Sequence, residues 1–175
     1  MPRNLAGPRR YRKLLLVVAA LLVVAARFFH LSTEENPATQ PVGEGPYQVR
    51  RVVDGDTLLL EDGTRVRLIG VNTPEMRTDN GGPQPWAVEA TEFTESFVNG
   101  KEIRLQFDRE RLDPYERTLA YVWVGDQMLN EELVRAGLAS VPGHYRYSSS
   151  MRRRFEQLLD EARAAGRGMW SDNRN

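Results

Sequence analysis

Short apolar runs and polar turns alternate along the chain from Tyr47 onward. Alternation over four to eight residues is typical of half-buried β-strands. The pattern predicts five strands, at 47–53, 57–60, 65–71, 102–107 and 118–124. The triplet Glu61-Asp62-Gly63 separates the second strand from the third and predicts a tight hairpin turn.

Three other stretches repeat apolar residues every three or four positions, which predicts helices over 84–98, 130–136 and 150–165. Asn130 is placed to cap the second of these helices, and Gly137 is placed to end it. Five short strands with one helix among them and two helices after them predict a mainly β, α+β domain. A five-stranded OB-fold barrel with about three helices is the fold that this order favours.

The first 31 residues have a different character. Four basic residues (Arg9, Arg10, Arg12 and Lys13) precede an apolar run of 13 residues, 14–26. As a helix this run spans about 20 Å, shorter than the ~30 Å core of a membrane, which is typical of a cleaved secretory signal. Reading on to Leu31 gives 18 residues and about 27 Å, enough for an uncleaved anchor if Arg27 extends its charge to the membrane surface. Either alternative predicts an N-terminal hydrophobic helix over 1–31 and an extracytoplasmic location for the remainder.

The stretch 32–46 carries three prolines, two glycines and three acidic residues without apolar periodicity, so we expect a flexible linker. This leaves 47–172 as the folded domain and 173–175 as a tail. We expect the protein to be a monomer, in contact with the membrane only through an uncleaved N-terminal segment.

The charge distribution and the amino-acid composition exclude several classes of function. The chain has 24 basic and 24 acidic residues, but its first 30 residues hold six bases and no acid. The rest therefore carries 18 bases against 24 acids, which excludes a non-specific positive coat for nucleic acid on the folded part. Cysteine is absent, which excludes disulfides, thiolate metal sites and cysteine nucleophiles.

Oxygen-bearing side chains and arginines gather around the first turn and the third strand. The candidate oxygen ligands are Asp54, Asp56, Asn72 and the Thr73 backbone. Ligands of this type favour Ca²⁺ or Mg²⁺ over Zn²⁺. Arg67 and Arg117 beside such a cluster fit an anionic substrate that bridges them, such as a phosphodiester. Taken alone, Asp54-Gly55-Asp56 is more typical of an ordinary turn than of a metal site, because Asp and Gly are frequent in turns.

Five blocks of sequence resemble the staphylococcal thermonuclease family, in order and spacing, over about residues 47–172. They are Val53–Thr57, Arg67–Glu75, Tyr115–Tyr121, Leu129–Ala139 and Gly168–Ser171. The resemblance implies that Asp56, Asn72 and the Thr73 carbonyl bind Ca²⁺. It also implies that Glu75 is the general base and that Arg67 and Arg117 hold the phosphate.

The same resemblance implies that tyrosines bind the substrate, at Tyr115, Tyr145 and Tyr147. It therefore implies a Ca²⁺-dependent nuclease that hydrolyses DNA, RNA or both with little base specificity. We expect a preference for single-stranded or frayed substrate, because a base that stacks on a tyrosine must be unpaired.

Asn72 departs from the family pattern, in which an aspartate usually stands at this position. Asparagine keeps an oxygen ligand but removes a negative charge, and calcium affinity follows the ligand charge. We therefore expect weaker Ca²⁺ binding than in a relative with two carboxylates, or a contribution from Asp54 or a bridging water.

Two alternatives remain open at the level of sequence. One is a non-catalytic or weakly catalytic nucleic-acid-binding OB-fold module tethered to the membrane, and the other is a membrane-tethered interaction domain. The presence of Asp56, Arg67, Glu75 and Arg117 together favours the enzyme, since a degenerate member of the fold lacks these acidic and arginine positions.

Overall fold

The computed structural model describes residues 44–79, 81–143 and 146–171. The predicted N-terminal helix, nearly all of the predicted linker, Tyr145 and the tail lie outside these ranges. Within them no helix is both long enough and apolar enough to cross a membrane.

Six strands of the described part form one sheet in the order β3-β2-β1-β4-β5-β6. Their bounds are β1 Tyr47–Asp54, β2 Thr57–Leu60, β3 Arg65–Leu68, β4 Glu102–Gln106, β5 Thr118–Val124 and β6 Gln127–Met128. A parallel pairing of β3 with β5 joins the two sides and closes β1 to β5 into a barrel. The predicted OB-fold barrel is thereby confirmed, and β6 is a two-residue addition that pairs with β5.

The third strand ends at Leu68, three residues earlier than the apolar run predicts. Gly70 adopts a left-handed conformation with φ of 80°, which turns the chain out of the sheet. A Cβ atom at Gly70 would lie 2.9 Å from ring atoms of both Phe155 and Tyr147. Ile69 and Val71 are nevertheless buried, although they lie in the loop after the strand.

Three α-helices lie in the described part: α1 Ala87–Val98, α2 Leu129–Arg135 and α3 Ser149–Ala164. A short 3₁₀ turn follows at Gly168–Trp170. The first helix begins three residues later than predicted, since Trp86 has a φ of 73° that no α-helical residue adopts. The last helix begins behind Ser148, whose hydroxyl accepts a hydrogen bond from the Met151 backbone N–H.

The prediction that Asn130 caps the second helix is wrong. Asn130 lies inside α2 and is fully buried. Its side-chain oxygen accepts a hydrogen bond from the Val122 N–H at 3.0 Å, and its amide nitrogen donates to the Ile69 carbonyl at 3.0 Å. The side chain therefore joins α2 to the barrel instead of satisfying the helix end.

Candidate active site

The Asp56 carboxylate lies in the turn after β1 and is almost completely buried, with 3% of the residue exposed. Its Oδ1 accepts a hydrogen bond from the Thr57 hydroxyl at 3.0 Å. Its Oδ2 accepts one from the Thr73 backbone N–H at 2.8 Å and forms an ion pair with Arg67 Nη2 at 3.1 Å. A buried carboxylate held by this many donors is fixed in position.

Gly55 lets this turn approach its neighbours closely. A Cβ atom at this position would lie 2.8 Å from Ala90 Cβ and 3.0 Å from the Thr73 side chain. The Thr94 hydroxyl also donates a hydrogen bond to the Gly55 carbonyl at 2.6 Å. The turn that carries Asp56 is therefore packed directly against α1.

Arg67 on β3 is equally buried, and protein acceptors surround its guanidinium. Nη1 donates to the carbonyl oxygens of Leu68 at 2.7 Å and Val71 at 2.9 Å. Nη2 donates to Asn72 Oδ1 at 2.9 Å and contacts the Asp56 carboxylate. Each terminal nitrogen carries two hydrogens, so these contacts occupy the whole fork. Arg67 thereby holds the loop after β3 against the Asp56 turn.

Asn72 and Thr73 follow in that loop, and the Asn72 backbone is fixed by the segment after α2. The N–H of Asn72 donates to the Ser140 carbonyl at 2.9 Å, and the Ser140 N–H returns a bond to the Asn72 carbonyl at 2.8 Å. The Asn72 side-chain nitrogen donates to the Thr73 carbonyl at 3.3 Å. The Thr73 hydroxyl is buried, and among the described residues it has no hydrogen-bond partner. One small region therefore holds three oxygen atoms of the kind that bind metal ions, from the Asp56 carboxylate, the Asn72 side chain and the Thr73 carbonyl. The unpaired Thr73 hydroxyl lies in the same region.

Glu75 stands two residues further along, and hydrogen bonds on both sides fix its backbone. The Gln84 side chain accepts from the Glu75 N–H at 2.8 Å, while the Gln84 N–H donates to the Glu75 carbonyl at 2.9 Å. The next N–H, of Met76, donates to Asp54 Oδ1 at 3.3 Å. These bonds place Glu75 at the end of β1, while the residue itself is exposed to solvent.

The electrostatics of Glu75 show that the chemistry-bearing side chains converge. Partial burial raises the pKa of Glu75, and the neighbouring carboxylates of Asp56 and Asp54 raise it further. The guanidinium groups of Arg67 and Arg117 offset part of this rise, and the net pKa lies above its ordinary value of 4.5. A single carboxylate therefore experiences the charges of two acids and two arginines that are far apart in the sequence.

Arg117 precedes β5 and is oriented by a tight loop. Asp113 Oδ2 accepts from Arg117 Nε at 2.6 Å, and Oδ1 accepts from the backbone N–H groups of Tyr115 and Arg117 at 2.9 Å each. Burial raises the pKa of Asp113, but these hydrogen bonds outweigh it and the net pKa is lowered. No residue in the described ranges accepts a hydrogen bond from the terminal nitrogens of Arg117, so they can bind an anion.

The three predicted substrate-binding tyrosines have different outcomes. Tyr115 is 77% exposed, and its ring centroid lies 5.5 Å from Arg117 Cζ. Tyr147 is buried and packs on Phe155 with ring centroids 6.0 Å apart. The ring is therefore covered by the protein in this structure, and the role of Tyr147 in substrate binding stays a prediction. Tyr145 lies outside the described residues.

Two residues of the site were missed by sequence reasoning as functional groups. Asp113 orients Arg117, and Gln84 fixes the backbone of Glu75. The four-residue spacing of Asp113 and Arg117 is a usable signal for a loop-closing ion pair, whereas nothing in the sequence marks Gln84. Across the described ranges, no three His, Cys, Asp or Glu side chains are grouped closely enough to hold a metal ion. Any metal here must therefore rely on amide and carbonyl oxygens as well.

Comparisons with known proteins agree with this geometry. Residues 65–172 match the family model described as staphylococcal nuclease homologue. The chain is 38% identical to the thermonuclease of Staphylococcus hyicus over 166 residues, covering 91% of this chain and 96% of that protein. It is 43% identical to the thermonuclease of Staphylococcus intermedius over 71% of this chain and 75% of that protein. It is also 34% identical to endonuclease YncB of Bacillus subtilis (strain 168), over 69% of this chain and 59% of that protein. With the OB-fold barrel and the assembled site, these matches show that the chain belongs to the staphylococcal nuclease family.

Proposed function

We propose that this protein is a Ca²⁺-dependent nuclease that hydrolyses phosphodiester bonds of DNA, RNA or both with little base specificity. Membership of the staphylococcal nuclease family supports hydrolysis of nucleic acid. The observation that carries the proposal is the convergence at Glu75, whose carboxylate lies in the combined field of Asp56, Asp54, Arg67 and Arg117.

The residues around Asp56 suit a hard divalent cation. Asp56, Asn72 Oδ1 and the Thr73 carbonyl offer only oxygen donors, the type that Ca²⁺ prefers. The unsatisfied Thr73 hydroxyl lies among them and supports a further polar ligand at this place. When bound, Ca²⁺ would neutralise the negative charge that develops on the phosphoryl oxygens.

The remaining steps belong to the protein's own side chains. The terminal nitrogens of Arg117 donate paired hydrogen bonds to the phosphate. Glu75 takes a proton from the attacking water or orients that water in line with the leaving oxygen. Its raised pKa brings the carboxylate closer to neutral pH and makes it a stronger base. Arg67 acts on the phosphate only if the substrate replaces one of its present protein acceptors.

Tyr115 is the exposed aromatic residue beside Arg117 and is suited to stack on an unpaired base. Stacking is tolerant of base identity and contributes about 1–3 kcal/mol per base. We therefore propose single-stranded or frayed nucleic acid as the substrate.

Digestion of denatured DNA by the purified full chain tests the proposal. Activity is expected with added Ca²⁺ and should disappear with a chelator. Glu75→Gln and Arg117→Ala should each lower kcat by roughly 100-fold or more, the loss of about 3 kcal/mol that one transition-state donor supplies. Arg153→Ala, which removes a charge from an exposed position on α3, is the matched control.

Two further measurements make this test decisive. Circular dichroism shows whether each variant is folded, and calorimetric titration with Ca²⁺ should show binding to the unaltered chain that Asp56→Asn weakens. Full activity of both the Glu75 and the Arg117 variants would refute the proposed roles. Activity that persists in the chelator would refute the calcium requirement.

A further inference from the structure

A cleft of about 270 Å³ opens directly beside Glu75. Its walls are the end of β1 and the segment that follows Glu75, and they consist of Arg51, Val53, Asp54, Glu75, Met76 and Arg77. The hydrogen bond from the Met76 N–H to Asp54 joins the two walls at 3.3 Å. The cleft is therefore a continuation of the proposed active site and not a separate depression.

Two guanidinium groups line this cleft without protein partners. Arg51 and Arg77 are exposed, and within the part of the chain that the structure describes the side chain of neither makes a hydrogen bond or an ion pair. Arg67 and Arg117 differ, since each is held by an aspartate. Arginines that face a cleft and have no carboxylate partner are suited to bind a phosphate from solution.

Arg51 lies further along β1 than the carboxylate of Asp54, which is close to Glu75. Arg51 precedes Asp54 by three residues on β1, a distance of about 10 Å at the rise of a strand. The charges that most strongly shift the pKa of Glu75 are those of Asp56, Asp54, Arg67 and Arg117. Arg51 and Arg77 are not among them, although both border the same cleft.

The charge on the far side of Arg51 limits how far a polyanion can extend. Arg51 also borders a second groove, of about 530 Å³, between β1 and α1. Glu92 and Glu95 of α1 line that groove together with Arg50 and Arg51, so the two carboxylates offset the two guanidinium groups and the groove has no net positive charge. A bound strand is therefore expected to follow the cleft from Glu75 to Arg51 and to leave the surface there.

We propose that Arg51 and Arg77 form a second phosphate subsite, which binds a phosphodiester flanking the one that is hydrolysed on the same single strand. This inference rests on the proposed nuclease function and adds the length of substrate that the enzyme recognises. The subsite therefore increases the affinity for a substrate with several phosphodiesters but not for a substrate with only one.

Steady-state kinetics on two substrates test the subsite in the full chain. One is a single-stranded oligonucleotide of about ten nucleotides, within the site size of an OB-fold, and the other is a dinucleotide with one phosphodiester. Arg51→Ala and Arg77→Ala should each raise KM for the oligonucleotide by roughly fivefold and leave kcat unchanged. Neither should change KM for the dinucleotide, and Arg153→Ala should change neither substrate's KM.

Salt dependence and a conservative exchange provide independent readouts. Each alanine variant should flatten the slope of log affinity against log salt by about 0.7, the value for one phosphate contact on a single strand. Arg51→Lys and Arg77→Lys should keep most of the affinity, because lysine retains the charge. If the Arg51 and Arg77 variants had the same KM for the oligonucleotide as Arg153→Ala, the subsite proposal would be wrong. It would also be wrong if their KM rose equally for the oligonucleotide and the dinucleotide.

Equilibrium binding separates failure of the subsite from failure of the proposed function. Fluorescence anisotropy of a labelled oligonucleotide, in chelator, needs no hydrolysis. If the full chain cleaves no substrate, the proposed nuclease function is refuted. The subsite proposal still stands in that case if the Arg51 and Arg77 variants bind the oligonucleotide more weakly than Arg153→Ala does. Equal binding by all variants would refute the subsite whether or not the chain is active.

Discussion

Arg67 and Arg117 are two cations of one site with different surroundings. Arg67 is buried, and its fork is occupied by three protein oxygens besides the Asp56 carboxylate. Arg117 is partly exposed and is held through Nε alone by Asp113. The first side chain therefore supports the structure of the site, whereas the second is available to a ligand.

This difference predicts that replacing Arg67 mainly lowers the stability of the fold, whereas replacing Arg117 mainly lowers the activity. Arg67→Ala leaves Asp56 buried without its ion-pair partner and should lower the free energy of unfolding by about 3–5 kcal/mol. Arg117→Ala should lower it by about 1 kcal/mol or less while still abolishing most activity. Urea denaturation of both variants measures the difference, and equal losses of stability would contradict it.

The raised pKa of Glu75 makes a second prediction, about pH. Folded Glu75 binds its proton more tightly than the unfolded chain does, so the wild type loses stability as pH rises through the raised pKa. Glu75→Gln removes this titration and should raise the unfolding temperature at neutral pH. The advantage should vanish below the ordinary pKa of 4.5. Thermal scans across this range, in chelator, provide the measurement, and a difference independent of pH would exclude this explanation.

Asn72→Asp tests the effect of ligand charge on the proposed calcium site. The variant adds a second carboxylate beside Asp56 while keeping the oxygen that contacts Arg67. Calcium should bind roughly tenfold more tightly, a gain of about 1.4 kcal/mol, as measured by calorimetry. Asn72→Ala, which removes the side-chain oxygen, is the control and should bind more weakly. Unchanged or weaker binding by the aspartate variant would contradict the charge argument.

At the scale of elements, alternation and helical periodicity were sufficient to predict the five barrel strands and the three α-helices of the described residues. The errors lie at their ends and have local causes. Gly70 turns the chain out of β3 while apolar residues continue, and Trp86 delays α1 through its positive φ. Asn130 was misassigned because a cap and a buried bridge use the same residue type, and only the barrel around it distinguishes them.

The bridging role of Asn130 can be separated from a capping role. Asn130→Asp keeps an oxygen for capping but loses the amide that donates to Ile69, and it buries a charge. The loss of buried hydrogen bonds should lower the free energy of unfolding by about 3 kcal/mol. A helix cap would tolerate the exchange, since aspartate caps as well as asparagine does. Urea titration decides, with Asn99→Ala, an exposed asparagine, as the control.

At the scale of the whole molecule, the site depends on residues that only the closed barrel brings together. The resemblance to a known family supplied the identities of Asp56, Glu75 and Arg117, and their convergence at Glu75 agrees with it. Two features could not be predicted from the sequence. One is that Arg67 is bound by protein acceptors while Arg117 is available to a ligand, and the other is the burial of Tyr147. Both follow from packing around β3 and α3, to which neither periodicity nor a motif refers.

The N-terminal segment carries the sequence features that bear on the location of the protein. We propose that its basic and apolar residues direct the domain out of the cytoplasm, either as a cleaved signal or as a membrane anchor. N-terminal sequencing of the mature protein, with fractionation of membrane and soluble material, distinguishes the two. An anchor retains Met1 or its neighbours in the membrane fraction, whereas a signal yields a soluble chain beginning near Arg27. Recovery of the intact chain in the cytoplasm would contradict both.

The parallel ladder between β3 and β5 pairs Arg67 with Leu119, two residues beyond Arg117. A chain that is still being translated holds Asp56, Arg67 and Glu75 well before it holds Arg117, and it cannot close the barrel until β5 has been synthesised. We therefore propose that the nascent polypeptide cannot hydrolyse nucleic acid until the last barrel strand has joined its partner.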